Sequence, residues 1–123
     1  GSSRLAHLYN PFHPSVVRLI HHVARAGLER GVEVAVCGEL AANPLGAFML
    51  IGMGIESLSV GPAALAEIKK VIRSVHLEKA RAALDEILQA NSPERVVEIL
   101  RFHIQEDLDL DRFSGLLNLW APT

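Results

Sequence analysis

Residues 32–39, VEVAVCGE, decide the fold. The run from Val32 to Val36 is short, rich in β-branched residues and nearly free of charge, which is typical of a buried parallel strand. Gly38 breaks this run, because glycine is favoured where the backbone leaves regular structure. We therefore predict a strand over residues 32–36, with Cys37 at its carboxyl end.

A helix is predicted immediately before this strand, from Pro14 to Arg30. Proline suits the first helical position, and Gly31 can end the helix in a left-handed conformation. The apolar residues recur at helical spacing along one face. They are Val16, Val17, Ile20, Val23, Ala24 and Leu28.

The pattern after Glu39 alternates helix and strand. Asn43 is a good N-cap for a helix over residues 44–53, a second strand is predicted over residues 57–60, and a further helix over residues 62–73. Leu65, Ile68 and Ile72 are expected to face inward from that last helix. This order is typical of a parallel α/β sheet, and two strands alone leave such a sheet incomplete.

From Leu77 onward the pattern is entirely helical. One apolar stripe contains Leu77, Ala80, Leu84, Ile87 and Leu88, and the next contains Val96, Val97, Leu100 and Ile104. Asn91 and Glu94 have the spacing of a capping box that starts the second of these helices. We expect the tail, residues 108–120, to form a short helix that docks through Trp120.

Composition excludes several classes of protein. The chain has 123 residues and a formal net charge of −2, with no stripe of basic residues, so nucleic-acid binding is not expected. Its longest apolar stretch, residues 45–55, is too short to span a membrane. A single cysteine allows no internal disulfide and suits a reducing, cytoplasmic compartment.

Residues 1–3, Gly-Ser-Ser, resemble a cloning remnant and are not expected to belong to the fold.

Cys37 and Glu39 are the candidate functional residues by position. Ligands of parallel α/β proteins bind at the carboxyl ends of the strands, where Cys37 is predicted to lie. Most lone cysteines, however, act as small buried apolar residues, and Glu39 suits a solvated loop as well as a ligand contact. Position alone leaves both alternatives open for both residues.

The six histidines do not have the spacing of a metal site. His21 and His22 are adjacent and lie on different faces of one helix, and no second pair of ligands stands at helical spacing. The chain also has no glycine-rich phosphate loop, since the glycines at 52 and 54 follow a helix rather than precede one.

Four stretches in order resemble the C-terminal, phosphoenolpyruvate-binding domain of the Enzyme I-type phosphoenolpyruvate–protein phosphotransferases, including their nitrogen-related type. They are HLYNPFHPSV at residues 7–16, VCGELA at 36–41, LIGMGI at 50–55, and LSVGP at 58–62 running into IKKVIR at 68–73. The resemblance covers residues 5–102. It departs from the family at Ala42, where the family has a glycine, and at Val60 and Gly61.

The resemblance implies a fold and a reaction. Residues 4–107 would supply the last two strands of a (βα)8 TIM-type barrel with the helices that follow, and residues 108–123 a tail of unassigned role. Cys37 would protonate the enolate of pyruvate, and Gly38 and Glu39 would bind or orient the substrate. Phosphate would pass from phosphoenolpyruvate to a protein histidine, with a phosphocarrier protein as the acceptor. The Mg²⁺ ligands and phosphate-binding arginines of the family lie upstream of these residues.

Two further expectations follow from the same resemblance, and two alternatives stay open. Because the metal and phosphate ligands lie elsewhere, these 123 residues alone should be inactive. Enzyme I-like proteins dimerise through this domain, so we expect a homo-oligomer. The alternatives are a barrel fragment of a pyruvate phosphate dikinase or phosphoenolpyruvate synthase, and a dimerisation module without catalysis.

Overall fold

The computed structural model describes residues 10–108. In chain order its elements are α1 (Pro14–Arg30), β1 (Ala35–Cys37), α2 (Glu39–Ala42), α3 (Pro44–Gly52), β2 (Ser57–Ser59), α4 (Pro62–Ser74), α5 (Leu77–Ile87) and α6 (Pro93–Ile104). The predicted mixed α/β order is confirmed in this range. The predicted tail helix with Trp120 lies outside the described residues after Leu108, as do residues 1–3. No helix within residues 10–108 is long and apolar enough to cross a lipid bilayer.

The two strands are parallel neighbours, with Ala35 opposite Ser57 and Cys37 opposite Ser59. The first strand starts three residues later than its β-branched pattern predicts, because the preceding residues complete the end of α1. Gly31, at a φ of 67°, donates its N–H to the carbonyl of Leu28, and Val32 donates to the carbonyl of Gly27 at 2.8 Å. An apolar residue that closes a helix is not available to a strand.

The third helix is the centre of the molecule. Every residue of α3 is buried except Ile51, which is half-buried. It packs against α2, α4, α5 and α6. Its approach to α5 depends on Gly52, since a Cβ at that position would lie 2.5 Å from the carbonyl oxygen of Ala80. A helix that is apolar on all sides is expected to be buried on all sides.

The fourth helix differs from its predicted orientation. Ile68 is buried as expected, and Val71 is buried with it, but Leu65 and Ile72 are 44% and 47% exposed. The same is true of Leu28 on α1, which is 58% exposed. The prediction that Leu65 and Ile72 face inward is therefore wrong for the core that residues 10–108 form. Both helices carry apolar surface that no described residue covers.

The start of α6 also differs from prediction in its capping residue. The N-cap is Ser92, whose hydroxyl accepts a hydrogen bond from the N–H of Arg95 at 3.1 Å. The predicted capping box of Asn91 and Glu94 is shifted by one residue, and Pro93 occupies the first helical turn. Both serine and asparagine are favoured N-caps, so the sequence alone does not separate them.

Candidate site at the carboxyl edge of the sheet

Cys37 is the last residue of β1, at the carboxyl edge of the parallel pair. Gly38 follows with φ 85° and ψ −156°, a conformation that is open to glycine and strained for other residues. A Cβ at position 38 would meet no atom within 4 Å, so the backbone conformation rather than crowding requires the glycine. The turn at Gly38 ends the strand abruptly at Cys37.

Glu39 begins a one-turn helix, α2, rather than lying in a plain loop as predicted. Its side chain is exposed, and it takes part in no hydrogen bond or ion pair among the described residues. The backbone of this turn is closed by hydrogen bonds from the N–H of Ala42 to the carbonyl of Gly38 and from that of Asn43 to the carbonyl of Leu40. The carboxylate therefore stands free beside the strand end, available to a ligand.

Asn43 anchors this turn on the central helix. Its side chain is buried, and its Oδ1 accepts hydrogen bonds from the N–H of Leu45 at 2.9 Å and of Gly46 at 3.3 Å. The predicted role of Asn43 as N-cap is thus confirmed. Leu40 packs so closely on α3 that a Cβ on Gly46 would lie 2.1 Å from the Leu40 carbonyl oxygen. The candidate site is held by the most buried element of the molecule.

Ala42, which departs from the family pattern, fits this turn. It is the last residue of α2, and no residue other than glycine has a positive φ among residues 10–108. Alanine therefore meets no backbone strain at this position.

Ser59, within the stretch LSVGP, is a neighbour of the candidate site in the sheet. It is the register partner of Cys37 on β2, and it is exposed. A signal was present in the alternation of residues 57–59, Ser-Leu-Ser, which predicts two serines on one face and a leucine on the other. The pairing with Cys37 depends on strand register, which is a property of the two strands together and is not given by the sequence of either one.

The two strand-end segments carry little charge. Residues 38–43 and 60–61 contain one titratable side chain, that of Glu39, and no lysine or arginine. Within residues 10–108, no three histidine, cysteine, aspartate or glutamate side chains come close enough to hold a metal ion. Groups that neutralise a phosphate are therefore not supplied by this edge.

A cavity of about 430 Å³ lies at the opposite, amino ends of the strands. It is bounded by the end of α1 around Gly27 and by Val34, Ile55 and Glu56. Because ligands of parallel sheets bind at the carboxyl ends, this cavity is not the candidate site.

Three of the described histidines, His13, His76 and His103, have hydrogen-bond or ion-pair partners. The Nδ1 of His13 accepts a hydrogen bond from the N–H of Ser15 at the start of α1, and His103 pairs with Glu86 between α5 and α6. His76 pairs with Asp107 at 3.0 Å. Burial, with the positive charge of Arg25 and the neighbouring His22, lowers the pKa of His21.

Fold and site together define the class of this molecule. It is an α/β protein whose candidate functional residues lie at the carboxyl ends of parallel strands, followed by a helical region that packs on the central helix.

Comparison with known proteins identifies the family within that class. Residues 1–77 match the family described as "PEP-utilising enzyme, PEP-binding domain", and the chain belongs to this family. Phosphoenolpyruvate-protein phosphotransferase of Cupriavidus necator is 40% identical over 101 residues, which is 82% of this chain and 17% of that protein. The proteins of the same name from Haemophilus influenzae and Borreliella burgdorferi are 34% and 31% identical, over 87% and 79% of this chain.

The chain spans less than a fifth of the length of these relatives, at 17%, 19% and 17%. The matched segment extends past β2 and α4 into the helical region, as the resemblance in the sequence implies. That resemblance is therefore confirmed.

Proposed function

We propose that this chain is the C-terminal part of the phosphoenolpyruvate-binding domain of a phosphoenolpyruvate–protein phosphotransferase. The observation that carries the proposal is the glycine-forced turn at Gly38, which ends β1 at Cys37 on the edge where ligands of parallel sheets bind. Membership of the family and similarity to three phosphotransferases of that name support it.

In the proposed reaction, the P–O bond of phosphoenolpyruvate breaks and the phosphoryl group passes to a histidine nitrogen. The product of this step is the enolate of pyruvate. Its terminal carbon takes the S–H proton of Cys37, the bonding pair remains on sulfur as a thiolate, and the thiolate recovers a proton from solvent. A thiol suits this task because its pKa, ordinarily about 8.5, lies nearer neutrality than that of a hydroxyl.

Gly38 and Glu39 complete the proposed site. Without a side chain, Gly38 leaves its backbone open to a substrate that approaches the strand end. The free carboxylate of Glu39 is available to accept a hydrogen bond that orients the substrate or a bound water. Both roles are proposals for the whole protein.

The described residues do not by themselves fit the Mg²⁺ that this family uses. Magnesium requires about six oxygen ligands in octahedral geometry, and Glu39 is the single carboxylate of this edge. We propose that the ligands of Mg²⁺ and the cations that hold the phosphate come from strands upstream, and that residues 10–108 alone do not turn over.

We propose that β1 and β2 are the last two strands of a (βα)8 barrel. Parallel sheets are normally covered on both faces, yet the described residues cover one face of this pair. Exposed apolar residues on α1 and α4 support the same conclusion, because they mark surfaces that other elements cover. They are Leu19, Val23, Leu28, Leu65 and Ile72.

The proposed partners are phosphoenolpyruvate and pyruvate as small molecules, a phosphocarrier protein as the phosphoryl acceptor, and a second copy of the protein. The proposed location is the cytoplasm, where a single unpaired cysteine stays reduced.

The test is to replace Cys37 by alanine and by serine in the full-length protein. We expect pyruvate formation from phosphoenolpyruvate to fall by at least about 100-fold in both variants, which is the usual contribution of a general acid. Binding of phosphoenolpyruvate, measured by calorimetry, should be retained. Turnover at the wild-type rate in Cys37→Ala would refute the acid role.

A second observation separates this proposal from a dikinase. The sequence upstream of Arg4 in the whole protein should encode metal and phosphate ligands and a phosphohistidine domain. A nucleotide-binding domain at that place would favour a pyruvate phosphate dikinase or phosphoenolpyruvate synthase instead.

A further inference from the structure

A groove runs along the surface where α5 and α6 meet. It consists of two adjoining cavities of about 550 Å³ and 320 Å³, which share Glu86, Arg95 and Ile99. From Arg95 to Phe102 it follows α6 for about two turns, or roughly 10 Å. This α5–α6 groove is lined, among others, by Asp85, Glu86, Arg95, Glu98, Ile99 and Phe102. It is long enough to receive a short helical segment of a partner.

Phe102 is the exposed apolar side chain of this groove. It is 65% exposed, whereas Ile99, which lines the same cavity, is buried. The ring of His103 meets that of Phe102 edge to face, with 5.4 Å between the ring centroids. Aromatic side chains bury large areas and are enriched at the centres of protein interfaces. An exposed phenylalanine beside a buried isoleucine therefore offers a partner an apolar surface.

The charged groups of the groove are mostly acidic. Its described lining residues bring the carboxylates of Asp85, Glu86 and Glu98, and Arg95 is the one cation among them. Arg95 donates to Glu98 at 2.9 Å, and both side chains are largely exposed, so this pair is weak and can be exchanged for a pair with a partner. Asp85 takes part in no hydrogen bond or ion pair within residues 10–108. The groove therefore presents negative charge that a basic partner would neutralise.

We propose that the α5–α6 groove binds a basic amphipathic helix of another protein. Helices that dock in grooves present apolar side chains at positions i, i+3 and i+4, and one of these would pack on Phe102. Lysines or arginines on either side of them would pair with the carboxylates of the groove. The inference does not rest on the function proposed for Cys37, because α6 lies wholly beyond residue 77, where the match to the phosphoenolpyruvate-binding domain ends.

Charge favours this partner over two others that the chain itself could supply. A second copy placed groove to groove would bring like carboxylates together, which is unfavourable. Residues 109–123 carry two aspartates and one arginine, so their net charge has the same sign as that of the groove. A basic segment of a different protein is the occupant whose charge is complementary.

The experiment measures the binding of a designed peptide to the full-length protein by fluorescence anisotropy. The probe is a fluorescein-labelled amphipathic helix of about 14 residues built from leucine and lysine, and the comparison peptide has glutamate in place of every lysine. Phe102→Ala removes the exposed ring, and Asp85→Asn removes an unpaired carboxylate. Ile72→Ala and Glu78→Gln are the matched controls, since these exposed residues do not line the groove.

We expect Phe102→Ala to weaken binding of the lysine peptide by about 10-fold or more, as the loss of an aromatic hot spot does. Asp85→Asn should weaken it by about 2- to 5-fold, and this difference should shrink as the ionic strength rises. Both controls should bind like the wild type, and the glutamate peptide should not bind. Equal affinity of Phe102→Ala and wild type, equal binding of the two peptides, or no binding of the lysine peptide would overturn the inference.

Two other results would assign the groove to a different occupant and would also overturn the proposal. A lower mass of Phe102→Ala than of the wild type in light scattering would mean that a second copy occupies the groove. Binding of the lysine peptide that is tighter by about 10-fold or more in a variant ending at Leu108 would mean that residues 109–123 occupy it. We expect neither result. Far-ultraviolet circular dichroism of each variant controls for folding.

Discussion

Two parts of the molecule differ in how completely they bury their apolar residues. The helical half consists of α3, α5 and α6, and the sheet half consists of β1 and β2 with α1, α2 and α4. In the helical half, α3 packs with α5 and α6, and Val96, Leu100 and Ile104 are all fully buried. In the sheet half, one face of β1 and β2 is open, and Leu19 and Leu28 of α1 are 62% and 58% exposed. The half that buries its own apolar side chains stabilises the fold. The half that leaves apolar side chains exposed carries the candidate site.

This difference follows from the two kinds of element. Helices that pair through apolar stripes can form a core locally, whereas a parallel sheet needs cover on both faces. The exposed Phe102, at 65%, is the exception in the helical half. The open face of the sheet is thus a surface that further elements of the proposed barrel are expected to cover.

The largest expected effect is the loss of a side chain from the centre of the helical half. Phe48 is fully buried in α3, so Phe48→Ala should lower the free energy of unfolding by about 3–5 kcal/mol. Ile72→Ala on the exposed face of α4 should cost less than about 1 kcal/mol. Urea unfolding of the wild type and of the two variants measures both losses of unfolding free energy. Equal losses would remove the distinction between the two halves.

The second prediction concerns the contact between α3 and α5. Gly52→Ala would place a Cβ 2.5 Å from a backbone oxygen of Ala80, which cannot yield without moving a helix. We expect a loss of about 1–3 kcal/mol in unfolding free energy. Gly61→Ala is the matched control in the sheet half, since nothing lies within 4 Å there, and it should change stability by less than about 0.5 kcal/mol. A tolerated Gly52→Ala would show that the helices are not in contact as described.

The third prediction uses pH. Burial alone would raise the pKa of Asp107, but hydrogen bonds from Lys79 at 2.9 Å and from His76 outweigh burial and lower it to about 2. Because the folded value lies below the ordinary value of 3.8, the carboxylate stabilises the folded state above about pH 4. This contribution is lost as the pH falls toward 2.

Asp107→Asn should therefore lower the free energy of unfolding by about 1 kcal/mol at pH 7, and the difference from wild type should vanish near pH 2. Thermal unfolding over a pH series measures it. Glu106→Gln is the control, because Glu106 also contacts Lys79 but is 70% exposed, and its curve should follow that of the wild type. A pH-independent loss in Asp107→Asn would contradict the assignment.

The smallest expected effect on stability is on the exposed apolar face of the sheet half. Leu19→Gln should change the free energy of unfolding by less than about 0.5 kcal/mol. It should nevertheless reduce self-association, because it removes apolar surface that a second copy can cover. Light scattering over a concentration series measures the mass. A monomeric mass for the wild-type chain would contradict the proposed self-association.

Sequence patterns predicted the helices well because proline and capping residues mark their ends. The bounds of α1 are those predicted, from Pro14 to Arg30, with Gly31 as the left-handed cap. The strands were predicted less well. Val32 is β-branched and apolar, and yet it closes a helix, so composition alone placed the strand too early.

The candidate site was predicted in part. The position of Cys37 at a strand end was predicted from the glycine that follows it. The role of Asn43 as an N-cap was predicted from its place directly before Pro44. The pairing of Cys37 with Ser59 did not follow, because register is a property of two strands and is set by the packing of Val36 and Leu58. Likewise Leu65 and Ile72 have the spacing of buried residues, but spacing does not say which elements cover them.

The most direct test of the central claim is the exchange of the methyl protons of pyruvate in D2O, catalysed by the full-length protein and followed by proton nuclear magnetic resonance. This exchange isolates proton transfer at carbon, which is the step assigned to Cys37. We predict that the wild-type protein incorporates deuterium and that Cys37→Ala does so at least about 100-fold more slowly. Exchange at the wild-type rate in Cys37→Ala would contradict the account.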